Sequence, residues 1–226
     1  MDNLLFNNKY RIPSARLQNW NYANEAMYFV TICTRYRAHY FGEIIDHPPS
    51  LLPTEIGKIA HEEWYKSVSL RPDMNLELGE FIVMPNHIHG IVIIGPNTYN
   101  TPGFPDSIRR DAKPRVCTNS DQNPQHHLCF HPQSCVDARH RVSTVDMDFG
   151  YKNKFAPQSK NLASIIRGYK SAVTTHAKKC GIEFGWQPRF HDHVIRSLDE
   201  YYRISDYIVD NTSKWLEDKF YRMHSR

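Results

Sequence analysis

The alternation of apolar and polar positions divides the chain into an ordered first part, a patternless middle and an ordered last part. Residues 1–26 are polar and turn-rich, with Trp20 and Tyr22 as apolar anchors. Residues 28–35 (YFVTICTR) are dense in β-branched and aromatic types and predict a strand. Thr54 can cap a helix running to Leu70, because Ile56, Ile59, Ala60, Trp64 and Val68 recur at helical spacing. Arg71-Pro72-Asp73 stops it. Residues 76–84 predict a second strand, Pro85-Asn86 a turn and residues 87–94 (HIHGIVII) a third strand. From 95 to about 160 the chain holds seven Pro and many Asn, Gln, Ser and His with no sustained period. That stretch is far longer than an ordinary connection, and a flexible insertion is expected there.

Order returns at 161–180 (NLASIIRGYKSAVTTHAKKC). At about 100° per residue, Leu162, Ile165, Ile166, Tyr169, Val173 and His176 share one helical face, with Arg167, Lys170 and Lys178 opposite. Gly181 and Gly185 break the helix, and residues 190–196 predict a fourth strand. Ser197-Leu198-Asp199-Glu200 is a capping box that opens a helix carrying Tyr201, Ile204, Tyr207 and Ile208. A short final helix is expected to include Trp215 and Phe220. The order strand, helix, strand, strand, helix, strand is that of a split βαβ unit. It predicts an α+β, ferredoxin-like antiparallel sheet with helices on one face, followed by C-terminal helices.

Composition changes this picture little. The 226 residues suit one domain interrupted by the insertion at about 95–160. No apolar run approaches the ~20 residues of a membrane span, and the N-terminus lacks a signal-peptide layout, so a cytoplasmic, nucleoid-associated protein is expected. Residues 160–226 hold twelve Lys or Arg against eight Asp or Glu, which is the whole of the net +4. A modest basic excess permits a nucleic-acid partner without demanding one. Five Cys, an odd number, argue against a disulfide framework.

The sharpest chemical feature is His87-Ile88-His89 on the third predicted strand. Side chains alternate across a strand, so both imidazoles point the same way and can grip one divalent ion. They need a third ligand from elsewhere, with positions left for water or substrate. The bland alternative is two histidines on a half-buried strand.

The run MPNHIHGIVII around that pair is similar to the HUH single-tyrosine transposases, especially the REP-associated tyrosine transposase branch of the IS200-like proteins. The resemblance extends to YFVTICTR followed by FGEII, to NLASIIRGYKSAV, to WQPRFHDHVIR and to the helix leading to IVDN. It covers most of the chain outside the insertion. It implies the HUH endonuclease fold and a Mg²⁺ or Mn²⁺ ion held by His87 and His89. It also implies single-stranded or hairpin DNA as substrate, and a tyrosine that attacks the scissile phosphate to form a 5′-phosphotyrosine.

The position where the resemblance places that tyrosine, two turns beyond Lys170, holds His176 and Ala177. Tyr169 is therefore the first candidate nucleophile, with His176 on the same face as a candidate third metal ligand. Tyr201, Tyr202 and Tyr207 stand next in line. Two alternatives stay open: a domesticated DNA binder of the same fold that does not cut, and a phosphodiesterase that uses activated water. Arg167, Lys170, Lys178, Lys179, Arg189 and Arg196 are candidate phosphate contacts. His191-Asp192-His193 reads as structural or DNA-contacting rather than metal-binding. Cys117, Cys129 and Cys135, with His126, His127, His131 and His140, lack the compact spacing of a zinc site. Monomer and homodimer are both open.

Overall fold

The computed structural model describes residues 17, 20–46, 48–101 and 159–221. Most of the expected insertion, including its cysteines and histidines, lies outside the described residues. The elements are β1 (Ala26–Cys33), β2 (Gly42–Asp46), β3 (Pro49–Pro53), α1 (Glu55–Ser69), β4 (Leu76–Met84) and β5 (His87–Ile94). They are followed by α2 (Leu162–Lys179), β6 (His191–Ile195) and α3 (Leu198–Val209). One-turn 3₁₀ segments lie at Arg35–Arg37, Pro72–Met74 and Trp215–Glu217.

The main sheet has the order β4-β5-β1-β6, with every neighbouring pair antiparallel. This is the ferredoxin-like arrangement expected from the element order. The β2–β3 hairpin forms a separate two-stranded sheet that the sequence pattern does not mark. Its strands are five residues each, and β3 begins and ends with Pro, so neither offers a readable alternation.

Local chemistry sets the helix starts. The Thr54 hydroxyl accepts from the Gly57 N–H and donates to the Tyr40 carbonyl. Asn161 and Ser164 form a reciprocal capping box on α2. At α3 the Ser197 hydroxyl accepts from Glu200 N–H, but the Glu200 carboxylate takes the backbone N–H of Arg196 and the ring of His193 instead of closing the box.

Two cores form, one on each side of the sheet. On one side α1 and α2 pack against each other and over Tyr28, Val30, Ile32, Ile88, Val92 and Ile94. Trp64 of α1 stacks on Phe81 at 4.5 Å and meets the edge of Tyr169 at 5.4 Å. On the other side α3 lays Tyr201, Ile204 and Ile208 on Ile91, Ile93 and Ile195. The expectation of helices on one face therefore describes α1 and α2, while the C-terminal helix α3 covers the opposite face.

Gly90 is the one position of β5 where a side chain cannot fit. A Cβ there would lie 2.5 Å from Trp64 Cζ2 and 3.0 Å from Phe81 Cδ2. Both belong to rings already in contact, so neither can move freely. Gly90→Ala should lower stability by about 1–3 kcal/mol through overpacking, read as a lower urea midpoint at unchanged slope.

Candidate active site

His87 and His89 sit at the start of β5, beside β1, with Cys33 opposite His87 and Thr31 opposite His89. The alternation that sends Ile88 into the α1/α2 core sends both imidazoles to the α3 side. Both rings are buried, at 0% and 2% exposure. Their Nε2 atoms approach to 3.1 Å. Each Nδ1 is held from behind: His87 by Asn86 Oδ1 at 2.9 Å, His89 by Thr31 Oγ1 at 2.9 Å. Phe29 stacks on the His89 ring with centroids 5.3 Å apart. Burial pushes the pKa of His87 well below the ordinary range and that of His89 down to about 3, with neighbouring positive charge acting in the same direction. Both rings are neutral at physiological pH, the state in which imidazole binds metals.

Two further groups converge on the pair. From α3, the Tyr207 hydroxyl lies 3.2 Å from His89 Nε2 while the residue stays 41% exposed. Burial raises its pKa, the Asp218 carboxylate raises it further, and a hydrogen bond from the Asn211 side chain works against both. From the C-terminal segment, Asp218 Oδ2 lies 3.9 Å from His87 Nε2. The same segment lays Phe220 against His87 at 4.6 Å, with the Arg37 guanidinium 3.9 Å from the Phe220 ring centroid. Asn86 Nδ2 donates to the Phe220 carbonyl at 2.9 Å.

His89, Tyr207, Asp218 and Phe220 border a cleft of about 1270 Å³, with His87 buried behind them. Arg37, Arg189, Lys214 and Lys219 line it, as do Phe190 and Phe29. Arg37 and Arg189 both have left-handed backbone, φ 59° and 67°, an uncommon conformation that costs of order 1 kcal/mol or more each.

The residues present fit a divalent cation. His87, His89 and Asp218 form, among the described residues, a set whose ligand atoms lie within 4.8 Å of one another. Two ligands in adjacent corners of an octahedron with metal–ligand distances of about 2.1 Å are roughly 3 Å apart, which the two Nε2 atoms match. In addition, Asn211 Oδ1 is buried in the wall of this cleft without a hydrogen-bond partner among the described residues. An orphaned acceptor in the cleft wall that also holds His89 and Asp218 suits a cation's bound water.

The other sequence candidates lie elsewhere. Tyr169 is not brought to the histidines. It is on α2, across the sheet, 2% exposed, and its hydroxyl donates to the Ala60 carbonyl at 2.9 Å. Burial raises its pKa well above the usual range, and the Glu63 charge adds to this. The phenol is packed in the α1/α2 core with its proton engaged by a helix carbonyl, away from the histidine pair. His176 is likewise on α2, 3.4 Å from Glu63 Oε1 of α1, and is no third ligand to the pair. Asp218 lies nearer, a position no helical or strand period marks.

Of the candidate phosphate contacts, Arg189 lines the cleft. Lys170 donates to the carbonyls of Gln187 and Arg189 and so braces the loop that carries Arg189. Arg167 and Lys178 lie exposed on α2, and Arg196 lies exposed just beyond β6, none of them in the cleft wall. His191 lines the cleft, His193 contacts Glu200 at 2.8 Å, and Asp192 is buried. Tyr207, Asn211, Arg37, Lys214 and Lys219 are the site residues that motif reading did not single out as first choices. Tyr207 and Asn211 share a helical i, i+4 spacing that could have flagged them.

No family model matches the chain. It is 27% identical over 209 residues to an uncharacterised protein of Haemophilus influenzae (strain Rd), an alignment spanning 92% of each chain. Among solved structures it is similar to a REP-associated tyrosine transposase bound to a REP hairpin, at 18% identity and TM-score 0.46, over 88% of this chain and 74% of that one. It is also similar to a candidate transposase from Deinococcus radiodurans R1, at 15% identity and TM-score 0.30, over 86% of this chain and 95% of that one. No helix among the described residues is long and apolar enough to cross a membrane.

The depressed histidine pKa values make stability depend on pH. The unfolded chain takes up protons on these rings near pH 6.5, while the folded chain resists. Stability should therefore be flat above about 6.5 and fall as pH drops toward 3, with a slope approaching about 1.4 kcal/mol per pH unit for each ring. Urea unfolding in chelator from pH 7.5 to 4.5 measures this, and His89→Gln should remove its share of the slope.

Proposed function

We propose that the protein is a transposase-like enzyme that cleaves and rejoins single-stranded or hairpin DNA through a covalent phosphotyrosine at Tyr207. His87, His89 and Asp218 would hold Mg²⁺ or Mn²⁺. The observation that carries this reading is the Tyr207 hydroxyl 3.2 Å from His89 Nε2, at the wall of a cleft lined with Arg and Lys. The motif resemblance supports the same chemistry.

A phenol with pKa near 10 is a weak nucleophile at neutral pH, and burial raises that of Tyr207 further. A bound divalent ion would withdraw charge from the scissile phosphate and help the leaving oxygen depart. The chain's own residues do the rest. Tyr207 Oη attacks phosphorus in line; the Oη–P bond forms as the bond from phosphorus to the 3′-oxygen breaks. The phenol loses its proton and the leaving oxygen gains one, so a 3′-OH is released and no external energy source is needed. Attack by a 3′-OH on the phosphotyrosine reverses the step and restores the phenol. Arg37, Arg189, Lys214 and Lys219 suit the backbone phosphates, and Phe190 offers a ring on which an unpaired base can stack.

A second reading, a DNA binder that does not cut, draws support from the packing of Phe220 over His87, which leaves that ring with no exposure. The test is a suicide-substrate assay with labelled hairpin oligonucleotides from the DNA flanking the gene, in Mn²⁺. The expected result is a denaturation-resistant protein–DNA band that disappears in Tyr207→Phe and His89→Ala and persists in Tyr169→Phe. A band surviving Tyr207→Phe excludes that nucleophile. Tight hairpin binding with no band in any variant selects the second reading.

A further inference from the structure

We infer that Asn86 and Thr31 are positioning residues that set the tautomers of the His pair, Asn86 as a fixed partner and Thr31 as a reversible one. The inference rests on the metal-site reading above and adds to it the means by which two mutually hydrogen-bonded imidazoles become two ligands.

Asn86 is fully buried, and both ends of its amide are assigned by independent partners. Nδ2 faces the Phe220 carbonyl, which can only accept, so the nitrogen is there and Oδ1 faces His87 Nδ1. An amide oxygen cannot donate. His87 must therefore carry its proton on Nδ1 and present a bare lone pair at Nε2. The Asn86 backbone is fixed as well, since its carbonyl accepts from the Thr34 N–H at 2.9 Å. Asn86 thus holds His87 in the tautomer that can ligate, whatever else is bound.

His89 faces a different constraint. Its Nε2 lies 3.1 Å from His87 Nε2, and two lone pairs at that separation repel. A proton must lie between them. His87 is neutral with its proton on Nδ1, so the proton belongs to His89 Nε2. His89 Nδ1 is then an acceptor, and the Thr31 hydroxyl donates to it across 2.9 Å. For His89 to ligate through Nε2, that proton has to leave and Nδ1 has to gain one. A hydroxyl is both donor and acceptor, so Thr31 can rotate and accept from the new Nδ1–H without moving the strand. The proton count of the ring is unchanged; only its site moves. A partner of single polarity at position 31 would lock His89 in one tautomer.

This assignment is readable without catalysis. In protein labelled with ¹⁵N in histidine rings and treated with chelator, long-range ¹H–¹⁵N spectra should show His87 as the Nδ1–H tautomer and His89 as Nε2–H, assigned with His87→Gln and His89→Gln. Adding Mg²⁺ should convert His89 to Nδ1–H and leave His87 unchanged. Thr31→Val keeps β-branching and shape in β1. It should weaken Mn²⁺ binding by about 10- to 100-fold, measured calorimetrically, and Thr31→Ser should restore it.

His87 found as Nε2–H in chelator would overturn the inference, as would a Thr31→Val protein that binds Mn²⁺ like the parent. The expected chelated tautomers with no response to Mg²⁺ or Mn²⁺ would support the assignment of Asn86 and instead refute the metal site. Circular dichroism of both Thr31 variants separates these outcomes from a failure to fold.

Discussion

The pairing of β5 with β1 is the constraint from which the site follows. Every residue of β5 is buried, so each must have a partner on one side of the sheet or the other. Period-2 alternation sends Ile88, Gly90, Val92 and Ile94 to the α1/α2 side and His87, His89, Ile91 and Ile93 to the α3 side. A slip of one residue would turn both imidazoles into the apolar α1/α2 core, away from the partners they have now. Burial of neutral imidazoles is tolerable here because each ring nitrogen has a partner: Asn86, Thr31, Tyr207 and the other ring. Those partners come from the turn before β5, from β1 and from α3, so the register of one strand pair organises three elements around one point.

Much of the fold was legible because it rests on local signals that tertiary packing reinforces. Thr54 and Ser197 cap the helices that the sequence assigns to them, and the β-branched runs are strands. The side on which α3 packs was not legible. An apolar stripe of Tyr201, Ile204 and Ile208 says that a helix buries one face, and nothing in that stripe says against which face of the sheet. The separation of Tyr169 from the histidine pair has the same origin. Tyr169 lies within the apolar stripe of α2 and is therefore a core residue. Tyr207 lies three residues beyond Ile204, at the margin of its stripe, where a side chain can have its ring against Phe29 and His89 and its hydroxyl in the cleft. A tyrosine at the edge of a stripe, with a short polar residue one turn on, is the pattern that distinguishes a site from a core.

The charged residues repeat this lesson. The basic face of α2 was visible because helical periodicity groups Arg167, Lys170 and Lys178, yet a regular basic face is also what any solvated helix presents. The cleft cations Arg37, Arg189, Lys214 and Lys219 come from turns and from the segment after α3, where no period groups them. Lys170 joins the two sets. Its amine is spent on the Gln187 and Arg189 carbonyls and lies 5.7 Å from the Trp186 ring centroid, so it shapes the loop that presents Arg189 without lining the cleft itself.

The choice of ligands fits the charge of the proposed substrate. Two imidazoles held neutral by burial and one carboxylate would leave a bound dication with a net positive charge. Three carboxylates would outweigh it, and a phosphodiester would then meet a negative site. The positive balance is extended outward by Arg37, Arg189, Lys214 and Lys219, while Phe29 and Phe220 keep water from the imidazoles and so weaken dielectric screening where charge would develop. The same desolvation raises the pKa of the Tyr207 phenol, which opposes the nucleophilic role proposed for it. The two effects would reconcile if phenol and cation were engaged together: the dry environment that makes Tyr207 hard to ionise alone would strengthen its attraction to a positive centre as its proton left. A substrate phosphate that spans His89 and Tyr207 would bring that about, which ties activation of the nucleophile to the arrival of the strand it attacks.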